Sequence, residues 1–207
     1  MRRRAQAPRD AFTIIEVLVV IGIIAALGAM LLPAMGEARV AARVSRAHGE
    51  LRQVTISLQL YQDCYNVFPP ARTFCASQMP NIDDYNHLPP ELVRSRCIDS
   101  LPEDIFNPGH TYKYVAPGLG WANGDLSILA IWVPNKFPKD TGQETPYFDQ
   151  KSSPVKCAVW SVGPSGPKSV FDSDALRYPM PPRYWYPNRR DGIIVHYYWN
   201  ECWRSSP

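Results

Sequence analysis

Glu16 is the most displaced ionisable residue in this chain. It heads VLVVIGIIAALGAMLLPAM, residues 17–35, which are nineteen consecutive positions without a charge, and FTII extends the apolar run backwards. A carboxylate in lipid costs up to about 2.5–3.5 kcal/mol when unpaired, so Glu16 either finds a cationic partner or snorkels to the headgroups. Few other residues have spacings that suggest chemistry. His48, His87, His110 and His196 are scattered with no HxH or HExxH, which gives zinc hydrolysis nothing to stand on. GxSxG, Walker and GxGxxG patterns do not occur. Asp83-Asp84 and the Asp172/Asp174 pair suit a two-carboxylate site, but surface turns carry such pairs commonly. Tyr184-Trp185-Tyr186 and Tyr197-Tyr198-Trp199 suit stacking on bases or sugars, or the core of a sheet. The chain reads as a non-enzyme.

A helix must position Glu16. Twenty apolar residues at about 1.5 Å each span the hydrocarbon of a bilayer. Arg2, Arg3, Arg4 and Arg9 precede the run, and the positive-inside rule keeps them cytoplasmic, with the rest of the chain exported. A cleaved secretory signal, a plain signal anchor and a buried core helix compete. The apolar stretch is longer than a signal's usual 7–15 residues and holds a carboxylate. Beyond it, Val40, Val44, Ala47, Leu51, Val54, Leu58 and Tyr61 recur at alternating spacings of four and three, an apolar seam with helical period. The predicted helix therefore runs from 12 to about 62, with a kink expected at Pro33 between Gly28 and Gly36. Either a homomeric coiled coil or the chain's own sheet covers the seam. The strands that follow favour the sheet.

The remainder differs in character. Of 21 prolines, 18 lie between Pro69 and Pro187, and the composition, 45% hydrophobic and 20% charged, excludes a disordered charged tail. Outside residues 1–11 the charges balance at 18 basic and 18 acidic, which disfavours nucleic acid as a partner. Residues 63–108 read as loop with one short helix near 90–97. Strands are predicted at 111–115, 126–133, 155–162 and 192–199, bounded by Gly, Pro or Asn. No helical pattern separates them, so the class is α+β: one long helix packed on a small antiparallel sheet of three to four strands. Cys64, Cys75, Cys97, Cys157 and Cys202 all follow the apolar segment, outside the reducing cytosol. Five cysteines allow two disulfides in fifteen ways with one left over, and among these the candidate pairings are Cys157–Cys202 and Cys64–Cys75.

Arg9-Asp10-Ala11-Phe12-Thr13-Ile14-Ile15-Glu16-Val17 resembles the prepilin-type signal of type IV pilins and type II secretion pseudopilins. The resemblance implies cleavage between Ala11 and Phe12 by a prepilin peptidase, which then methylates the new amine. Ala11 stands where the family mostly has Gly. Phe12 becomes the first mature residue, Glu16 the fifth, where the family has its Glu, and Pro33 the twenty-second, where many members have a helix-bending Pro. Phe12 and Glu16 are then about 6 Å apart along the axis, so a staggered neighbour brings its amine to this carboxylate. The implied organisation is a leader at 1–11, a membrane and assembly helix at 12–35, its amphipathic continuation at 36–62 and an exported globular domain at 63–207.

The implied partners are other copies of the chain, minor pseudopilins, the prepilin peptidase and an inner-membrane assembly platform, with ATP consumed by a separate motor. Val159-Trp160-Ser161-Val162-Gly163-Pro164-Ser165-Gly166 is similar to a segment of the major pseudopilins whose loop holds calcium. Here Ser165 replaces an expected Asp, and Asp172 and Asp174 remain as calcium ligands or as a solvated turn. No other cofactor is implied. Tyr186 to Ile194 looks like the closing hairpin of related proteins. A pseudopilus subunit is the leading reading. A type IV pilus subunit for adhesion, motility or DNA uptake and an uncleaved, membrane-anchored binding module remain beside it.

Overall fold

The computed structural model describes residues 13–73, 86–137, 139–164 and 192–205. The chain divides into two compact units, Met1–Arg39 and Val40–Pro207. A single helix, α1 (Ile14–Tyr65, 52 residues), contributes to both. In the first unit its large apolar side chains, among them Ile14, Leu18, Ile24, Leu31 and Met35, are exposed to the surroundings, and the stretch is long and apolar enough to cross a membrane. The helix continues without interruption through position 33.

The second unit is built on the apolar seam. Val44, Ala47, Leu51, Val54 and Leu58 are buried, and Val40 and Tyr61 pack against the same cluster. They cover one face of a four-stranded antiparallel sheet of order β11-β10-β9-β4, with β4 at Lys113–Val115, β9 at Val155–Ser161, β10 at Ile194–Trp199 and β11 at Cys202–Ser205. Alternation along the strands sorts the residues. Tyr114, Cys157, Val159, Ile194 and Tyr198 join the helix-side cluster. Val115, Ala158, Trp160, Val195 and Tyr197 form a second cluster with Ile131 and Val133. Those two residues come from β7 (Ile131–Lys136), which forms a ribbon with β8 (Lys139–Tyr147). The seam is thus covered by the chain's own sheet, and the fold is α+β.

Smaller pieces complete the unit. The hairpin β5 (Gly118–Ala122) and β6 (Asp125–Leu129) pairs in parallel with the short β1 (Arg72–Thr73). A second ribbon joins β2 (Glu103–Asp104) and β3 (Asn107–Thr111), and α2 (Glu91–Arg94) falls inside the predicted short helix. The predicted strand 126–133 divides at Ala130, and its halves enter different sheets. The strand 111–115 divides likewise at Tyr112, whose side chain is fully buried.

The expected Cys157–Cys202 bridge is not formed: both thiols are free. Cys157 pairs with Tyr198 and Cys202 with the adjacent Trp199, so the two cysteines sit on opposite faces with β10 between them. Two strand spacings, roughly 9–10 Å, exceed the 4.4–6.8 Å between Cα atoms that a disulfide tolerates. Cys64 is an exposed free thiol in the last turn of α1. Its expected partner Cys75 lies outside the described residues.

Candidate functional site

The start of α1 is set by two side chains. Thr13 precedes the first helical residue, and its backbone N–H donates to Glu16 Oε2 at 2.8 Å while its hydroxyl donates to the same oxygen at 2.7 Å. Glu16 N–H in turn donates to Thr13 Oγ1 at 3.3 Å. This is a capping box, in which an N-cap Thr and an N3 Glu satisfy each other's orphan donors. Both Thr13 bonds fall on Oε2. Glu16 therefore has a structural role within its own chain that the apolar run alone does not suggest. The Thr-x-x-Glu spacing was its sequence signal.

Ala11 and Phe12 lie outside the described residues, as do Asp172, Asp174, Asp83 and Asp84. Among the described residues no group of three His, Cys, Asp or Glu side chains converges as a metal site. Tyr197 and Tyr198 are buried β10 residues, one on each face of the sheet, and so belong to the core.

Two polar clusters in the globular unit were not legible as sites. His48 on α1 and His196 on β10, 148 residues apart, meet with Nδ1 and Nε2 3.3 Å apart and ring centroids 5.6 Å apart. Burial pushes His196 down to about 4, helped by His48 and Arg52, and burial also lowers His48. Both rings are then neutral at pH 7, one donating and one accepting. Asp104, nearly fully buried, accepts from Ser161 Oγ at 2.7 Å and from the N–H groups of Val162 and Phe106 at 2.9 Å each. Burial raises its carboxyl, against those hydrogen bonds and the charge of Lys113.

The Val162 tie ends beside Gly163. A Cβ there would stand 1.8 Å from Gly192 O, and φ is +74°, so only glycine fits. The end of β9 and the approach to β10 are held backbone against backbone. This accounts for the glycine in the Trp-Ser-Val-Gly run, independently of any ion.

Type II secretion system core protein G from Pseudomonas aeruginosa is 27% identical to this chain over 136 residues, which are 66% of this chain and 89% of that protein. No family model matches the chain, and no solved structure matches it. The similarity supports a pseudopilin-like chain, in agreement with the single apolar N-terminal helix and the small antiparallel sheets.

Proposed function

We propose that this chain is a structural subunit of a type II secretion pseudopilus, cut between Ala11 and Phe12 and polymerised through α1. The observation that carries this reading is the similarity to a type II secretion core protein over most of that protein's length. A long helix whose first half is apolar on all sides supports it. Before assembly the chain sits in the inner membrane with its N-terminus cytoplasmic and its sheet domain exported. Its role is mechanical and non-enzymatic.

The assembly step follows from charge. Cleavage leaves a cationic amine on Phe12 at membrane depth, and Glu16 keeps a carboxylate four residues on. Within one chain the capping box already occupies Glu16 Oε2. A neighbour displaced by about one helical turn, roughly 6 Å, brings its amine to the remaining oxygen. Each of two buried charges is then relieved only in the stack. The partners are other copies, minor pseudopilins, the prepilin peptidase and the inner-membrane platform.

Intact mass and N-terminal sequencing of the protein from its native membrane test this reading. The expected product begins with N-methylated Phe12. A chain that still begins at Met1, or one cut near Gly36, overturns it.

A further inference from the structure

The β5–β6 hairpin has one inward and one outward face, and the outward one is apolar. Its register pairs Leu119 with Ile128 and Trp121 with Leu126, which places all four on one side. Leu119 is 62% exposed, Leu126 58% and Ile128 63%. The hairpin's orientation is pinned from behind. A Cβ on Gly120 would stand 2.5 Å from Ala71 O and 2.6 Å from Leu129 Cδ1, so the inner face lies in direct contact with the unit. From the side, the Arg72 guanidinium sits over the Trp121 ring at 5.3 Å while donating to Glu91 at 2.6 Å. The outward face is therefore held in place, and large apolar side chains side by side on a fixed face mark an interaction surface.

We propose that this face docks a second copy of this chain, and that it is received by the outward stripe of α1 formed by Ile56 and Leu60. The inference rests on the assembly reading above. The area argues for a copy rather than a free partner. Four partly exposed side chains offer on the order of 400 Å², about half of the roughly 800 Å² per partner that a stable complex buries. Such a contact holds only between molecules already kept close, and copies tied by a shared membrane and by their helices meet that condition. The receiving surface is also present. Ile56 and Leu60, one turn apart on the side of α1 away from the sheet, are 62% and 47% exposed. Two unlike apolar faces on one chain dock head to tail, which lets a series extend when the rotation between copies does not close a ring, whereas hairpin against hairpin closes a two-fold pair.

A photo-crosslinking amino acid at Leu119 of the full-length protein, irradiated in its native membrane, tests this. The expected adduct joins residue 119 to the tryptic peptide 53–72 of another copy. A second expectation is that Leu126→Asp lowers the self-adduct from a probe at Ile128 at least fivefold. An adduct to a different protein or to lipid, one between two hairpins, or no adduct overturns the proposal. A probe at Val19 and the N-terminal mass, read on the same membranes, separate the two levels. A chain that is processed and crosslinks through Val19 but not through Leu119 removes the docking alone. An unprocessed chain silent at both positions removes the assembly reading as well.

Discussion

Glu16 caps α1, and the assembly proposed above gives it a second, separable role, because a cap needs an acceptor oxygen and a partner for a buried amine needs a charge. Glu16→Gln keeps an oxygen for Thr13 and loses the charge, while Glu16→Ala loses both. If the charge drives assembly, Glu16→Gln inserts normally yet lowers α1-to-α1 crosslinking at least tenfold, and Glu16→Ala does no worse. Wild-type crosslinking by Glu16→Gln sinks the amine pairing and leaves Glu16 as a cap, worth about 1 kcal/mol. The two histidines give a second prediction, on pH. Unfolded, His196 titrates near 6.5; folded, it is held down at about 4 by burial, His48 and Arg52. Below 6.5 the unfolded chain takes up a proton that the folded chain refuses. This contribution to stability is thus complete above about 6.5 and is lost as the pH falls toward 4, by about 3 kcal/mol in all. The Asp104 carboxyl is shifted upward, so its protonation favours the fold in acid and cannot supply this loss. Urea unfolding at pH 7 and pH 4.5 should show the fall, and His196→Phe should flatten most of it. An unchanged slope in that variant would remove His196 as the cause.

At the scale of elements, α1 behaves differently on its two sides within the globular unit. Leu51 is fully buried among sheet residues, whereas Ile56 is exposed. Leu51→Ala is expected to cost about 2–5 kcal/mol, and Ile56→Ala to stay within about 0.5 kcal/mol, measured by chemical denaturation of the detergent-solubilised chain. Equal losses would mean that the outer stripe is already covered within the monomer. The same asymmetry explains what was legible. The seam from Val40 to Tyr61 repeats with the period of the helix it forms, so sequence alone located it. Strands β9 and β10 were legible because they are buried on both faces and read as apolar runs. The strand β8, KDTGQETPY, is polar and lies in a side ribbon, so it gave no run to find. The divisions at Ala130 and Tyr112 depend on which distant strand pairs where, and no local pattern encodes that choice. The same non-local register defeats the Cys157–Cys202 bridge, since adjacent β10 partners put the two thiols on opposite faces. At the N-terminus the Thr-x-x-Glu box was present in the sequence but was masked by the more conspicuous oddity of a carboxylate beside an apolar run.

At the scale of the whole molecule, two units with different surfaces share one helix. The unit from Val40 onward has its own two-sided core, with α1 on one face of the sheet and the β7–β8 ribbon against the other. About 170 residues are enough to bury such a core without help. In the other unit, the stretch from Ile14 to Met35 exposes its large apolar side chains all around, so it adds surface suited to lipid rather than to water. A chain beginning at Gly36 should therefore be soluble without detergent, keep the long helix's second half and unfold in one cooperative transition. It should also sediment as a monomer, because the hairpin face alone is too small to hold two free copies together. Far-UV circular dichroism, thermal unfolding and sedimentation velocity check these outcomes. A stable dimer of this fragment would show that the outward faces bind without the tether, and the area argument for a helix-held contact would fail. A fragment without a cooperative transition would show instead that the apolar half of α1 completes the globular core, and the division near Arg39 would not be a division in stability.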